Sequence, residues 1–273
     1  MNKTILITGT SSGLGRATAK HFHTKGWNVI ATMRTPERES ELTQLERTLV
    51  TRLDVQDSQS IHKAIDAGLA RFGRIDALVN NAGYGAYGPL EATPFEKIRR
   101  QFDVNVLGLF AVTQAVLPHF RANRRGTLIN ISSAGGRITF PLGALYHGTK
   151  FAVEGLSEAL QYELAPLGIR VKVIEPGGIK TDFAGRSFDF SNDPTLTEYQ
   201  PLVQSLFSVL GPIMERASQP EQIAEVIYAA ATDGTDQLRY EAGADAVQML
   251  ASRRAVDDAT FFAGMKRQFG LAE

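Results

Sequence analysis

Cysteine is absent from this chain of 273 residues. Its absence excludes disulfides, thiolate zinc sites and cysteine nucleophiles together. A charge excess is absent too, since 29 Lys and Arg balance 29 Asp and Glu. Nothing would draw nucleic acid or an anionic membrane to the surface, so neither is expected as a partner. Histidine is scarce (His21, His23, His62, His119 and His147), and none forms an H-x-x-x-H pattern. No metal centre is expected. No apolar run reaches the roughly 18 residues of a membrane span. Met1-Asn2-Lys3 leads straight into a short apolar run, without the pattern of a signal peptide. A cytoplasmic protein is expected. What is present is 43% apolar residues, enough for the core of a single α/β domain over residues 1–273.

Thr4-Ile5-Leu6-Ile7-Thr8 reads as a buried parallel strand. Gly9-Thr10-Ser11-Ser12-Gly13-Leu14-Gly15 follows, and Leu14, Thr18 and Phe22 then repeat at helical spacing. A glycine-rich turn between a strand and a helix N-terminus lets backbone N–H groups approach a pyrophosphate, aided by the helix dipole. The spacing is G-x-x-x-G-x-G, distinct from the usual G-x-G-x-x-G fingerprint. A second strand over Trp27–Met33 ends in Arg34, with no carboxylate before Glu37. A guanidinium at that position suits a ribose 2′-phosphate, whereas an acidic residue would bind the 2′-hydroxyl.

Further strands are predicted over Thr48–Val55, Asp76–Asn80, Thr127–Ser132, Arg170–Glu175 and Gln237–Glu241. Residues 37–47 read as an exposed helix. Ser58 is the predicted N-cap, and Gly73 the stop, of a helix carrying Ile61, Ile65 and Leu69. Pro94 opens a long helix with a bend expected near Asn105 or Gly108. Strands alternating with helices argue for a doubly wound parallel sheet with helices on both faces and its crevice at the C-terminal strand ends. Gly9–Gly15, Arg34, Asp54, Asn81, Ser133 and Pro176–Thr181 all fall at that edge. Residues 182–215 break the rhythm with Phe183, Phe188, Phe190, Tyr199 and Phe207, and are expected to form a substrate lid or binding loop.

Tyr146 and Lys150 stand four apart, on one helix face. A phenol near its usual pKa of about 10 is a poor acid–base catalyst at neutral pH, and a neighbouring ammonium favours its phenolate. Such a pair can exchange a proton with a carbonyl or alcohol oxygen, and Ser133 would offer that oxygen a hydroxyl. About 0.2 Tyr-x-x-x-Lys matches are expected by chance, so the pair takes its weight from the motifs around it. His147 reads as a helix-surface histidine.

These residues resemble the short-chain dehydrogenase/reductase family over nearly the whole chain. Thr8-Gly9-x-x-x-Gly13-x-Gly15 looks like its cofactor loop and Asn80-Asn81-Ala82-Gly83 like its strand-end motif. Asn105, Ser133, Tyr146 and Lys150 match its catalytic tetrad. The resemblance implies a Rossmann-like fold and hydride transfer with NADP(H) preferred and NAD(H) as a second cofactor. Tyr146 would be the general acid/base. Lys150 would lower its pKa and hold the nicotinamide ribose, Ser133 would polarise the substrate oxygen, and Asn105 would hold a relay water. Cofactor contacts are implied for Gly9, Ser11, Ser12, Gly13, Leu14, Gly15, Arg34, Asp54, Val55, Asn81, Ala82, Gly83, Asn105, Tyr146, Lys150, Pro176, Gly177, Ile179 and Thr181.

The general layout resembles the hydroxysteroid and retinol dehydrogenase-like branch. The expected substrate is an apolar ketone or aldehyde, or the matching alcohol, beside Tyr84, Tyr87, Phe140 and Leu142. A homodimer or homotetramer is expected through the helices at about 95–121 and 146–165. An NADPH-binding sensor without turnover and a nucleotide-sugar epimerase or dehydratase are the competing readings.

Overall fold

The apolar runs pair as parallel strands in the computed structural model, which describes residues 2–181 and 187–271. The strands are β1 (Thr4–Thr8), β2 (Asn28–Met33), β3 (Thr48–Arg52), β4 (Ala77–Asn80), β5 (Gly85–Tyr87), β6 (Gly126–Ile131), β7 (Ile169–Pro176), β8 (Phe188–Phe190) and β9 (Arg239–Ala242). Seven of them form one sheet in the order β3-β2-β1-β4-β6-β7-β9, parallel at every pairing. The order reverses between β1 and β4, which opens a crevice beyond their C-terminal ends.

Alternation along β1 divides the core between the two faces. Ile5 and Ile7 pack with Leu14 and Phe22 of α1 (Gly13–Thr24), and with Ile223 and Ile227 of a helix over Pro220–Thr232. Leu6 packs on the other face with Ile61 and Ile65 of α2 (Ser58–Phe72) and with Val112, Val116 and Phe120. Fully burying an aliphatic side chain of this size stabilises by about 1.5–3 kcal/mol, so the paired faces carry the fold. The helix opened by Pro94 is α3 (Phe95–Phe102). A wider π turn over Asp103–Leu107 joins it to α4 (Gly108–Ala122). The π turn therefore spans Asn105, where the bend is expected. The Tyr146 helix is α5 (Ala144–Leu164).

Two local expectations are corrected. Residues 37–47 form two short 3₁₀ turns, Pro36–Arg38 and Leu42–Gln44, instead of an exposed helix. The Glu39 carboxylate accepts from the N–H groups of Glu41 and Leu42, a local alternative to helical bonding, and Leu42 is buried. Asp57, not Ser58, caps α2, accepting from the Ser60 N–H at 3.1 Å. Among the described residues of the stretch expected to form the lid, β8 pairs with β5, and α6 spans Gln200–Glu215. Residues 182–186, including Phe183, lie outside the described residues. The chain ends with α7 (Pro220–Thr232), α8 (Ala244–Arg254) and α9 (Asp258–Gln268). Among the described residues no helix is long and apolar enough to cross a membrane.

Candidate active site

The glycine turn after β1 is built for close approach. Gly9 and Gly13 have φ of +73° and +53°, values an L side chain rarely adopts. A Cβ on Gly15 would lie 2.2 Å from the Gly9 carbonyl oxygen. Gly15→Ala is expected to destabilise the fold by about 1–3 kcal/mol through overpacking, read as a lower urea midpoint at unchanged slope. The Ser12 side chain makes no cap hydrogen bond to α1, so it leaves the first-turn N–H groups to other acceptors. Such an end suits an anion. The turn is tied to β4 by Thr8, whose Oγ1 accepts from the N–H groups of Asn81 and Ala82, both at 3.0 Å. In return Asn81 Nδ2 donates to the carbonyls of Thr8 and Gly9 at 2.9 and 3.1 Å. Asn81, Ala82 and Gly83 are thereby brought to the glycine loop.

Arg34 stands exposed just beyond β2. Arg16 on α1 is already committed. Its guanidinium donates to the Ser11 carbonyl at 2.9 Å and pairs with Glu39 and Glu41. Asp54, beyond β3, has its carboxylate bonded to the Gln56 N–H at 3.1 Å. Val55 packs on Gly108, where an added Cβ would come within 2.6 Å of it.

Ser133 stands two residues beyond the end of β6. Its Oγ accepts from the Gly135 N–H at 3.0 Å and donates weakly to the Pro176 carbonyl at 3.4 Å. The Tyr146 side chain hydrogen-bonds Ser133. Lys150 Nζ lies 5.7 Å from the Tyr146 ring centroid and donates to the Ile131 carbonyl at 2.9 Å. Three of the four expected catalytic side chains thus meet at the ends of β6 and α5. Asn105 stands behind them. Its Nδ2 donates to the Tyr84 carbonyl at 2.8 Å and to Thr149 Oγ1 at 3.1 Å, while Oδ1 accepts from the Tyr84 N–H.

Burial decides the electrostatics. It brings the Lys150 ammonium down to about 8, against the opposing pull of Glu154 one turn on. Burial also holds the Tyr146 phenol above its ordinary value, with the Ser133 hydrogen bond opposing it.

The Pro176–Thr181 segment is fixed by residues the sequence reading passed over. Asp245 Oδ2 accepts from the Gly178 N–H at 2.7 Å, and any side chain on Gly177 would collide with that carboxylate. Ile179 pairs with Ser218 and packs on the core. Thr181 packs on Gly13, so this segment closes on the glycine loop.

One side of the site is aromatic. Ring centroids run from Tyr146 to Tyr87 (5.4 Å), to Phe188 (5.3 Å), to Phe190 (6.0 Å) and to Phe207 on α6 (5.0 Å). The β5–β8 pairing that aligns these rings joins segments far apart in sequence, and strand patterning did not reveal it. His147 is a further correction. It is buried, only 3% exposed, rather than at the helix surface. Its Nδ1 lies 2.8 Å from the Gly135 carbonyl, and its Nε2 accepts from the Phe140 N–H at 3.0 Å.

Residues 3–192 match the family model described as short chain dehydrogenase. An uncharacterized oxidoreductase of Schizosaccharomyces pombe is 47% identical over 244 residues, covering 88% of this chain and all of its own. An NADPH-dependent 3-dehydrocapnine reductase of Ornithobacterium rhinotracheale is 31% identical over 263 residues, 93% of this chain and 92% of its own. Among solved structures, a short-chain dehydrogenase from Streptomyces avermitilis superposes with a TM-score of 0.83 at 34% identity, covering 99% and 98% of the two chains. ElxO with NADP bound gives 0.76 at 28% identity, over 91% of this chain and all of its own. The chain belongs to the short-chain dehydrogenase family and is a nicotinamide-dependent oxidoreductase acting between CH–OH and C=O groups of small molecules.

Proposed function

We propose that this enzyme reduces an apolar ketone or aldehyde with NADPH, and oxidises the matching alcohol in reverse, with Tyr146 as general acid/base. The observation that carries the reading is the convergence on Tyr146: Ser133 bonds its side chain, and Lys150 lies beside the same ring. The residues fit a nicotinamide dinucleotide. The first turn of α1 and Gly9–Gly15 would hold the pyrophosphate with Ser11, Ser12 and Leu14. Asp54 and Val55 would line the adenine end, and Asn81, Ala82 and Gly83 the middle. Pro176, Gly177, Ile179 and Thr181 would line the nicotinamide. Exposed Arg34 would meet the 2′-phosphate, which is why NADP(H) is preferred over NAD(H). When bound, the cofactor supplies the hydride.

The protein's own residues handle the proton and the position of the carbonyl. Ser133 and Tyr146 hydrogen-bond the substrate oxygen, and Tyr146 gives up its proton as negative charge develops there. Lys150 stabilises the resulting phenolate. Both N–H groups of the Asn105 carboxamide are already used, so a relay water would donate to carbonyl oxygens of that residue. Lys150 at about 8 sets a pH limit. It loses its charge as pH rises through that value, and reductive kcat/KM is expected to fall above about pH 8. A profile flat to pH 10 counts against a cationic Lys150.

The string of Tyr87, Phe188, Phe190 and Phe207 supports an apolar substrate. Residues 182–215 would cover it within a single domain, as in the hydroxysteroid and retinol dehydrogenase-like branch. Phe95, Leu107, Phe151 and Tyr162 are 65%, 57%, 47% and 73% exposed on the α3–α4 run and α5, which supports a homodimer or homotetramer through these helices. The test of the function is NADPH and NADH oxidation with a panel of apolar ketones and aldehydes. Alcohol formed in equal amount to NADPH consumed is the expected result. Tight NADPH binding with no turnover on any member would favour the sensor reading.

A further inference from the structure

The segment that carries Ser133 into α5 holds one residue in an unfavourable backbone conformation. Leu142 within it has φ of +60°, a left-handed conformation that costs free energy for a branched-chain residue and persists only where its surroundings enforce it. The enforcing contacts come from both sides. The Gly88 N–H donates to the Leu142 carbonyl at 2.7 Å. His147 reaches back from the first turn of α5 to two points within the segment, Gly135 and Phe140.

The partners determine the tautomer. A backbone N–H can only donate, so the Phe140 contact requires a lone pair on Nε2. Nδ1 then carries the hydrogen, and the Gly135 carbonyl accepts it. The ring is walled by glycine on both sides. A Cβ on Gly135 would come within 2.9 Å of Nδ1, and one on Gly143 within 2.6 Å of Nε2. The ring also meets Tyr146 and Tyr87 edge-on, at 5.7 and 5.9 Å between centroids. Gly135, whose carbonyl His147 holds, gives its own N–H to Ser133 Oγ. The imidazole is therefore two contacts from the Ser133 hydroxyl and one residue from Tyr146.

We infer that His147 is a positioning residue: its neutral imidazole clamps residues 133–143 against α5 and so fixes Ser133, Tyr146 and Tyr87 around the substrate oxygen. The inference rests on the proposed reductase reading for its effect on turnover, but not for its geometry. The clamp requires the uncharged ring, because a second proton would set Nε2–H against the Phe140 N–H. Among the described residues no charged side chain is placed to compensate. Tyr87 on β5 and Tyr146 on α5 are the titratable groups facing the ring, and the 133–143 segment presents only the Gly135 carbonyl and the Phe140 N–H. Burial lowers the ring's proton affinity below its ordinary 6.5. The clamp is thus complete above pH 6.5 and is lost as pH falls through the lower folded-state value.

The experiment pairs His147→Ala and His147→Gln with NMR of the imidazole nitrogens in the wild type. His147→Ala is expected to lower kcat by about 10- to 100-fold with NADPH affinity within about twofold of wild type. His147→Gln, which keeps an acceptor for the Phe140 N–H, is expected to recover part of kcat and to lack the acid limb expected of the wild type below pH 6.5. NMR is expected to show hydrogen on Nδ1 and titration below 6.5. Wild-type kcat in His147→Ala, or an Nε2–H tautomer, would overturn the clamp. If His147→Ala fails to bind NADPH, the glutamine variant and the tautomer decide. An enzyme with no turnover on any substrate but an Nδ1–H ring would refute the reductase reading and leave the clamp standing.

Discussion

Replacing Tyr146 by Phe is expected to lower turnover by about 10³-fold while NADPH affinity stays within about twofold of wild type. The substitution removes one hydroxyl and keeps the ring against Tyr87 and Lys150, so the cradle for the cofactor is unchanged. What is lost is the proton donor. Ser133 remains and can still polarise a carbonyl, but its hydroxyl is a far weaker acid. Initial rates with a substrate from the ketone panel, beside fluorescence titration with NADPH, separate the two quantities. A variant that keeps most of its rate would remove Tyr146 from the chemistry and leave the Ser133–Lys150 arrangement without a function.

The second large effect is expected at Arg34. Arg34→Asp should weaken NADPH binding by about 100-fold, since a charge-assisted hydrogen bond of about 1.5–3 kcal/mol is replaced by repulsion. NADH binding should hold or improve, because a carboxylate at this position can accept from a ribose 2′-hydroxyl. Arg16 is not free to substitute, being engaged by Ser11, Glu39 and Glu41. Titration of both cofactors into both proteins reads the result. Retained NADPH affinity in Arg34→Asp would show that Arg34 does not hold the phosphate.

The sheet and the edge of the site were legible in the sequence for a physical reason. A parallel strand buried on both faces writes itself as a short apolar run, and each run here ends in a motif whose chemistry is local. Gly9–Gly15, Asn81–Gly83, Ser133 and Pro176–Thr181 reach one edge because topology puts the C-terminal strand ends there. The irregular π turn at Asn105 was legible as a polar residue and a glycine inside an apolar helix. Contacts made across the chain were not. Glu39 looks like a surface helix residue until its carboxylate is seen to take the N–H groups of Glu41 and Leu42. His147 sits beside Tyr146 in sequence, and helical spacing alone places it outward. It is buried because residues 133–143 fold back over it. The β5–β8 pair, which sets Phe188 against Tyr87, joins two three-residue strands that alternation cannot register.

The central claim is that Tyr146 delivers a proton while a hydride passes from the cofactor to a carbonyl carbon. It is tested most directly with NADPH carrying deuterium at the transferred position, incubated with an apolar ketone and either wild type or Tyr146→Phe. The account predicts one deuterium on the carbinol carbon of the wild-type product, equal to the NADPH consumed, and almost no product from the variant in the same time. Unlabelled alcohol, or equal labelled product from both proteins, would contradict it.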